Sequence, residues 1–574
     1  MNHQKLTSKL DGYRTRNSLN HCYINEGLYR ILYDRDIYYI AYNNIKSNDG
    51  SDTVGSDGTS LHGFKEAWID DIISSLRDES YHPLPNRITF IPKKNGKMRK
   101  LSFPNGKDKL IQEAVRIILE CIYEPTFSNL SHGFRPKRSI HSALGQVETW
   151  TNTAWFIEGD ISACFDEIDH RVLESILRER IHDERFIRLI NKLLKAGYFD
   201  MQHQFHNSKQ GAAQGSTCSP ILCNIYLDKL DRFMESIIER DTKGACRKHN
   251  PQYSQLRYQL NKAIKENNTK LIKQLRKELK TVHTYDEMDS SYRRIKYVRY
   301  ADDFLVGTIS NKEYAKALKQ EIKEFLNDVL HLRLNDEKTK ITNAKHDKVH
   351  FLGYIVTKNK YLHLEILMDM DKIIHRLHDN GMCDIKGYPT SIKRLFCSSV
   401  EDIITYGNQV LRGLVNNNQG CANFYKCHRI QYIVQFSIAK TIARKFDISI
   451  KSVFKERGKS LLHKYRNEKG LSKSIYLAMF RSFKRDSNFF KEILYRLKQP
   501  IDYKYNDTNP LGRKCYICGN PHQLNMFHRP KENRIKSPCT PIVQEMIRIH
   551  RRQICLCDNC FEKANSNQNL IRKR

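Results

Sequence analysis

Two adjacent aspartates, Asp302 and Asp303, lie between two apolar runs at residues 295–298 and 304–306. This pattern predicts a tight β-hairpin that carries both carboxylates at its tip. Carboxylates in an apolar setting are costly to bury unless a cation neutralises them, so the pair is a candidate metal-binding group. The alternative is a turn in which the two side chains bond only to their own backbone.

A third carboxylate, Asp160, ends another apolar strand that the pattern predicts over residues 154–160. If the two strand ends lie side by side, their aspartates can hold two Mg²⁺ ions about 4 Å apart. Such ions align an attacking hydroxyl and stabilise the leaving phosphate oxygen during nucleotidyl transfer. The three carboxylates therefore indicate chemistry on polyphosphates and nucleic acids.

Four cysteines near the end of the sequence form two Cys-x-x-Cys pairs, Cys515 with Cys518 and Cys557 with Cys560. Four thiolates in two such pairs are typical of a tetrahedral structural Zn²⁺ site, and free thiols are the alternative. Most of the other cysteines stand singly in apolar surroundings, which favours a reducing compartment over a disulfide framework. Cys539 and Cys555 are expected to be bystanders.

The charge balance points to the same class of partner. The chain has 574 residues with 97 Lys and Arg against 64 Asp and Glu, so its net charge is 97 − 64 = +33. This surplus favours a polyanionic partner such as nucleic acid over a solvated basic surface. The length predicts several domains, and the 40% hydrophobic content excludes wholesale disorder. We expect no membrane segment and no signal peptide, because no apolar run reaches roughly 18 residues.

The elements that must position these groups follow from hydrophobic periodicity. Helices are predicted at 64–76, 109–123, 170–179 and 220–238, and strands at 87–92, 99–103, 154–160, 295–300 and 304–308. Residues 370–500 are predicted to be almost purely helical and basic. An insertion at about 241–296 carries apolar residues at helical spacing between charges. It fits a helix packed on the body of the protein as well as an arm that contacts RNA.

Short motifs in a fixed order run along nearly the whole chain. They are Arg87–Lys93 with Gly96 and Arg99, Lys109–Ala114, His132–Pro136, Gly159–Asp160, Gln214–Ser216, Ser219–Pro220, Asn224–Leu227, Tyr300–Asp303, Glu337–Lys340, Phe351–Tyr354 and Glu401–Asn408. In this order they resemble the group II intron-encoded reverse transcriptase/maturases. The resemblance implies a multidomain α+β protein with a right-hand polymerase fold, in which fingers and palm combine a mixed sheet with helices. A helical thumb/maturase domain and a small zinc-bound C-terminal domain would follow.

The resemblance also implies domain boundaries. They are an N-terminal extension at 1–65, fingers and palm at 66–365, thumb/maturase domain X at 366–455, a DNA-binding region at 456–512 and an HNH endonuclease-like zinc domain at 513–574. Relatives carry a His-His pair between the two cysteine pairs and further histidines after the last cysteine. This chain keeps only His528 and has none at 561–565. We therefore expect the endonuclease activity to be lost.

The resemblance assigns roles to individual residues at the polymerase site. Asp160, Asp302 and Asp303 would be catalytic, and Asp160, Asp302 and the Ile161 carbonyl would bind the two Mg²⁺ ions. The substrate-binding residues would be Lys93 and Arg99 at the incoming triphosphate, Phe165 under its sugar, Gln214 and Gly215 near the template–primer pair, and Lys338 near the departing pyrophosphate. From the residues alone, exposed charges at a turn and simple packing of Phe165 are the alternatives.

The implied activity is an RNA-directed DNA polymerase that is also an intron maturase. It would bind its group II intron RNA as a lariat ribonucleoprotein, promote splicing, and use dNTPs for target-primed reverse transcription on a DNA target. The alternatives are a splicing factor without polymerase use and a domesticated enzyme freed from its intron. A bacterial cytoplasm with nucleoid association is favoured over an organellar matrix.

Overall fold

The protein is described by a computed structural model. It covers residues 3–92, 96, 98–200, 202–282, 284–286, 289, 291–359, 363–466, 472–480, 484–512, 514–529, 541–549 and 551–572. Predicted residue Lys93 of the nucleotide site and bystander Cys539 lie outside these ranges.

Most of the described chain is helical. The helices are α1 (His3–Leu19), α2 (Arg35–Ile45), α3 (Glu66–Arg77), α4 (Gly106–Tyr123), α5 (Ile140–Glu148), α6 (Cys164–Glu167), α7 (His170–Arg178), α8 (Glu184–Leu194), α9 (Ser219–Asp241), α10 (Pro251–Lys265), α11 (Thr269–Leu279), α12 (Lys312–Asp328), α13 (Met370–Asp379), α14 (Val400–Asn417), α15 (Cys427–Phe446), α16 (Ile450–Arg457), α17 (Phe489–Leu497), α18 (Pro541–Arg548) and α19 (Asp558–Arg572). Each helix predicted from the periodicity is confirmed, with ends shifted by up to three residues.

The strands form small sheets. They are β1 (Asn86–Pro92), β2 (Met98–Phe103), β3 (Trp155–Asp160), β4 (Tyr198–Phe199), β5 (Phe205–His206), β6 (Arg294–Tyr300), β7 (Asp303–Ile309), β8 (Lys340–Asn343), β9 (Val349–Phe351), β10 (Tyr354–Lys358), β11 (Leu364–Met368), β12 (His463–Arg466), β13 (Ser472–Ile475), β14 (Leu524–His528) and β15 (Gln553–Cys557). The predicted hairpin of β1 and β2 is confirmed, with Ile91 paired to Arg99.

The central sheet has the strand order β6-β7-β3-β8, and each neighbouring pair is antiparallel. Apolar side chains of α4, α7, α8 and α9 form a continuous core with those of β3, β6 and β7. Both faces of this sheet are covered, because Ile157 and Val306 lie in this core while Phe156 and Leu305 lie in a second core. Its register places Asp160 directly opposite Asp303.

A second core lies among α14, α15, α16 and the three-stranded sheet β9–β11. The almost purely helical pattern predicted for residues 370–500 is wrong at β12 and β13, which pair antiparallel. Half-buried and exposed positions alternate along β12, with His463 and Tyr465 half-buried. This period of two is typical of a strand, but the lysines and arginines between these residues resemble a charged helix face.

The cores do not follow the predicted domain boundaries residue by residue. Apolar residues of α1 and α2, inside the predicted N-terminal extension, belong to the same core as α4. Leu511 and Met526, from the C-terminal part of the chain, also contact that core. The boundaries therefore stay predictions, and the N-terminal region and the palm pack as one body.

Candidate functional site

The β6–β7 hairpin turns through only two residues. Tyr300 pairs with Asp303, which leaves Ala301 and Asp302 in the turn. Ala301 has φ 56°, a left-handed value that hairpin turns usually assign to glycine or asparagine. A Cβ atom at Gly133 would lie 2.3 Å from the Ala301 nitrogen, so only glycine fits beneath the turn. The predicted hairpin tip is confirmed, and the His132–Pro136 motif supplies its support.

The turn and the end of β3 bring three carboxylates together, and we call Asp160, Asp302 and Asp303 the carboxylate cluster. Burial raises the pKa of Asp302, and the charge of Asp160 adds to the increase. Burial and the charges of Asp302 and Asp160 raise the pKa of Asp303 to about 7. Crowded carboxylates of this kind are oxygen donors that a divalent cation would stabilise in the ionised form.

Asp160 is fixed by two side chains from the loop before β8. Lys338 Nζ donates to the two Asp160 carboxylate oxygens at 3.0 and 2.9 Å. Asn335 Nδ2 donates to Asp160 Oδ2 at 2.9 Å, and the Asn335 backbone N–H donates to the Asp160 carbonyl at 2.8 Å. The hydrogen bond that Lys338 donates to Asp160 raises the pKa of Lys338, so this side chain places a positive charge at the cluster.

A buried ion pair supports the hairpin from behind. The guanidinium of Arg299 on β6 is fully buried and lies 2.6 Å from Asp231 Oδ2 on α9. It also donates to the Ala301 carbonyl in the turn at 2.9 Å and to Asn224 Oδ1 at 3.2 Å. Asn224 in turn donates to the Gly133 carbonyl at 2.8 Å. This network fixes both the turn and the glycine beneath it.

The sequence reasoning missed Arg299 and Asp231. The available signal was an arginine between Val298 and Tyr300 in an apolar strand, together with an aspartate on the apolar face of the helix over residues 220–238. Two opposite charges that are each expected to be buried should form an ion pair, because an unpaired buried charge is strongly unfavourable.

Two of the predicted nucleotide-binding residues, Arg99 and Ile161, interact with the cluster. Arg99 on β2 is exposed, and its positive charge partly offsets the increase in the pKa of Asp302. Ile161 follows Asp160 directly; its side chain is buried and its N–H donates to the Asp302 carbonyl at 3.3 Å. Phe165 on α6 contacts Phe134 edge to face, with ring centroids 6.1 Å apart. Phe134 is 54% exposed, so the two rings reach the surface together.

Gln214 and Gly215 lie against β2. Gly215 has φ 115°, and a Cβ atom there would be 2.3 Å from the Ser102 carbonyl oxygen. The Gln214 carbonyl accepts a hydrogen bond from the Ser102 N–H at 2.7 Å, and its amide donates to Asp166 at 3.2 Å. Gly215 therefore allows the backbone of this loop to lie close to β2 of the fingers hairpin.

The four paired cysteines converge as predicted. The Sγ atoms of Cys515, Cys518, Cys557 and Cys560 all lie within 4.8 Å of one another. Burial alone would raise the pKa of Cys515, but backbone N–H groups of residues 517, 518 and 557 lower it to about 6. Four sulfur atoms this close together fit a soft tetrahedral cation. Cys555 is not part of the group and donates to the Leu511 carbonyl.

We call residues 514–529, 541–549 and 551–572 the cysteine-cluster domain. It is joined to the N-terminal region by backbone hydrogen bonds: Gly63 N–H donates to the Met526 carbonyl at 2.9 Å, and Met526 N–H donates to the Phe64 carbonyl at 3.0 Å. The β14 strand thereby gains a short partner on its open edge.

His528, at the end of β14, is buried at this junction. Its Nε2 lies 2.7 Å from the Tyr42 hydroxyl and its Nδ1 lies 2.6 Å from Asp52 Oδ1. Both ring nitrogens are therefore engaged by protein groups. After the last cysteine, Asn565 Oδ1 lies 3.0 Å from His62 Nε2.

Comparisons with known proteins identify the family. Residues 91–254 and 260–356 match the family described as reverse transcriptase (RNA-dependent DNA polymerase), and residues 362–499 match type II intron maturase. The chain is 35% identical over 571 residues to the group II intron-encoded protein LtrA of Lactococcus lactis subsp. cremoris, covering 93% of this chain and 94% of that protein. The chain belongs to the group II intron-encoded reverse transcriptase/maturase family.

This reverse transcriptase/maturase has further relatives in organelles. It is 32% identical to the putative COX1/OXI3 intron 2 protein of Saccharomyces cerevisiae, over 94% of this chain and 66% of that protein. Among solved structures, telomerase from Candida tropicalis matches at TM-score 0.34 and 15% identity, over 65% of this chain and 59% of that chain. The Sicinivirus RNA-dependent RNA polymerase matches at TM-score 0.36 and 14% identity, over 68% and 69%.

Family membership makes this reverse transcriptase/maturase an RNA-directed DNA polymerase with a right-hand polymerase fold followed by a maturase region. The predicted family and enzyme class are thereby confirmed. Within the described part of the chain, no helix is both long and apolar enough to cross a bilayer.

Proposed function

We propose that this reverse transcriptase/maturase binds the RNA of its own group II intron, promotes its splicing and carries out target-primed reverse transcription in the resulting ribonucleoprotein. The observation that carries the proposal is the carboxylate cluster, followed along the chain by the residues that match the maturase family. In this proposal Asp160, Asp302 and Asp303 are the catalytic residues. The DNA target, the RNA template with its DNA primer, and dNTPs are the other substrates.

The residues of the cluster fit divalent cations. Asp160, Asp302 and the Ile161 carbonyl would hold two Mg²⁺ ions, with Asp303 assisting, because magnesium prefers carboxylate and carbonyl oxygens. When bound, such ions supply charge neutralisation at the triphosphate and favour ionisation of the primer hydroxyl. The raised pKa values of Asp302 and Asp303 support this, since a bound cation would offset the burial and mutual repulsion that disfavour their ionised forms.

The surrounding side chains bind and orient the nucleotide. Lys93 and Arg99 flank the turn of the fingers hairpin in the sequence and would grip the phosphates as a cationic lid. Phe165 would exclude a 2′-hydroxyl from the sugar position, and Gln214 with Gly215 would line the template–primer side. Lys338 holds a proton at Nζ next to Asp160 and would donate it toward the departing pyrophosphate.

We further propose that the cysteine-cluster domain binds one structural Zn²⁺ and has lost second-strand endonuclease activity. A nuclease of this type needs imidazoles that are free to act as a general base or a metal ligand. His528 is engaged at both ring nitrogens by Tyr42 and Asp52. The domain, whose residues 515–574 carry 11 Lys and Arg against 4 Asp and Glu, or 11 − 4 = +7, would keep a role in DNA binding.

Primer extension on an RNA template with dNTPs and Mg²⁺ tests the polymerase assignment. We expect Asp302→Ala to abolish extension, while Asp347→Ala, which removes an exposed carboxylate after β8, leaves it unchanged. Absence of extension by the wild type would refute the assignment. A splicing assay at low Mg²⁺ tests the maturase role separately, because equal splicing with and without protein contradicts it.

The nuclease proposal has its own assay. The ribonucleoprotein is incubated with a double-stranded target, and both strands are followed. Cleavage of the second strand by the wild-type protein contradicts the proposed loss.

A further inference from the structure

The insertion forms an antiparallel pair of helices, α10 and α11, which we call the arm. Of the side chains from Pro251 to Leu279, all within the described chain, only Ala263 and Leu275 are fully buried. These two residues lie on the seam between the helices. Of the two interpretations left open by the sequence, a projecting arm is therefore favoured over a helix packed on the body.

The outer face of α11 is a row of lysines. Lys270, Lys273 and Lys277 are spaced three and four residues apart, which places them on one helix face. That face lies opposite the seam formed by Ile272, Leu275 and Leu279. The three ammonium groups are exposed, and none has a carboxylate partner within the described part of the chain.

The arm as a whole is strongly basic. Residues 251–279 contain 7 Lys and Arg against 2 Asp and Glu, or 7 − 2 = +5. Tyr258, 70% exposed on the outer face of α10, adds an aromatic surface one and two turns before Lys262 and Lys265. A row of exposed lysines on one helix, with an exposed aromatic ring on its partner helix, is suited to a phosphate backbone.

The root of the arm, which we define as residues 243–244 and 293–294, is held in place by hydrogen bonds. Lys243 and Arg293 exchange two backbone hydrogen bonds of 3.1 Å, and the Arg294 guanidinium donates to the carbonyls of Lys243 and Gly244 at 2.6 and 2.7 Å. Further along, the rings of His249 and Tyr285 stack at 5.0 Å. These contacts set the direction of the arm relative to β6.

The position of the root separates the arm from the catalytic hairpin. The arm enters β6 at Arg294, whereas the carboxylate cluster follows the other end of the strand at Tyr300. Six residue steps of about 3.3 Å separate the two ends by roughly 20 Å. β6 is also the edge strand of the central sheet. A phosphate backbone bound on the arm therefore lies about 20 Å or more from the site where the carboxylate cluster would act.

We propose that the Lys270–Lys273–Lys277 face of the arm binds the phosphate backbone of a double-helical segment of structured RNA. This inference rests on the proposed function, in which folded segments of the intron RNA bind the protein outside the polymerase site. The arm acts as a second anchor on that RNA, on the edge of the palm away from the catalytic hairpin.

The test uses the full-length protein and an RNA hairpin of about 20 base pairs, with filter binding over a series of salt concentrations. Lys270→Gln/Lys273→Gln/Lys277→Gln removes three cations from the outer face. Its matched control, Gln252→Glu/Gln255→Glu/Gln259→Glu, changes the net charge by the same amount on another exposed face of the arm. Log affinity falls with log salt, and each lost phosphate contact makes this negative slope less steep by about 0.9.

We expect the lysine variant to make this negative slope less steep by about 2 to 3 and to weaken RNA binding, with a much smaller effect in the control. Primer extension on a short unstructured template should equal that of the wild type, which also reports that the variant is folded. Wild-type affinity and slope in the lysine variant would overturn the proposal. So would an equal loss in the control, an equal loss on a DNA duplex of the same sequence, or a loss of extension on the short template.

Failure of this proposal is distinguishable from failure of the proposed function. Binding of the hairpin RNA does not require polymerisation or splicing. Extension and splicing by the wild type are measured without reference to the arm.

Discussion

The carboxylate cluster and the imidazoles of the cysteine-cluster domain differ in what their reactive groups contact. At the cluster, the buried scaffold of Arg299 and Asp231 bonds to the backbone of the turn and leaves the carboxylates of Asp302 and Asp303 crowded against each other. In the cysteine-cluster domain, His528, the histidine kept from the expected His-His pair, is itself part of the buried scaffold. At the carboxylate cluster the network supports the reactive groups, whereas in the cysteine-cluster domain the imidazole has joined the network.

Both regions keep family motifs, and the difference between them bears on the role of each. A cation held by the paired cysteines would fold the domain around it, and this role needs no free imidazole. The junction with Gly63, Phe64, Tyr42 and Asp52 then gives the domain a structural role toward the N-terminal region. The first prediction therefore addresses the cysteines.

Cys515→Ser is expected to have the largest effect on the cysteine-cluster domain. Structural zinc contributes about 10 kcal/mol or more to the folding of small zinc domains, so loss of one ligand removes most of the local stability. We expect zinc content to fall from one per chain to a small fraction, and backbone hydrogen exchange at β14 and β15 to become fast. Cys555→Ser is the matched control, and an equal loss of zinc in that variant contradicts the assigned ligand set.

Arg299→Met tests the scaffold of the cluster. Removing one partner of a buried ion pair leaves an uncompensated Asp231 and costs about 3 to 5 kcal/mol of unfolding free energy. We expect a lower urea midpoint and reduced primer extension, because the Ala301 carbonyl loses its donor.

The companion variant Arg299→Met/Asp231→Asn separates the charge effect from the packing effect. The asparagine oxygen can still accept the Tyr297 hydroxyl, which now bonds to Asp231 at 2.9 Å. We expect this double variant to recover part of the stability but not the extension rate. Full recovery of the rate would show that the bond to the turn is dispensable.

His528→Gln tests whether the histidine is structural. Glutamine cannot bond to both Tyr42 and Asp52, so we expect a loss of about 1 to 3 kcal/mol, the cost of an unsatisfied buried partner. The loss should appear as faster exchange of the Met526 and Gly63 amides that join the two regions. His522→Gln, at an exposed position in the same domain, should leave exchange unchanged. Slow exchange in the His528 variant would contradict the structural role.

The sequence predicted the parts of the fold that depend on local patterns. Alternation of apolar residues around Asp302 and Asp303 gave the hairpin, and the spacing of the cysteines gave their cluster, because both signals are contained in short segments. The Arg299–Asp231 pair joins residues 68 positions apart. Its partners are visible only once α9 packs on β6.

His528 shows a second limit of sequence reasoning. The count of remaining histidines predicted loss of the nuclease, but the new role of His528 depends on Tyr42 and Asp52, which lie more than 470 positions earlier. The arm shows a third limit. Its periodicity predicted helices, whereas only the burial of Ala263 and Leu275 showed that the helices pack on each other.

The smallest expected effect comes from His132, a buried histidine of the scaffold that has no carboxylate of its own. Its Nδ1 lies 2.8 Å from Ser142 Oγ, and its Nε2 has no hydrogen-bond partner within the described residues. Burial, with the positive charges of Arg138, Arg135 and Arg299, lowers its pKa to about 3. The folded protein therefore keeps His132 neutral at pH values where the unfolded chain protonates it.

Because the folded pKa is depressed, the stability from neutral His132 is fully present above about pH 6.5 and is lost as the pH falls below that value. Between pH 7.5 and 5.5 this residue should account for about 1.4 kcal/mol of the loss in unfolding free energy. His132→Asn keeps an N–H donor for Ser142 and cannot be protonated, so its urea midpoint should fall less over that interval. Parallel pH dependence in the two proteins would mean that His132 is already accessible to protons in the folded state. The scaffold around His132 would then be open to water.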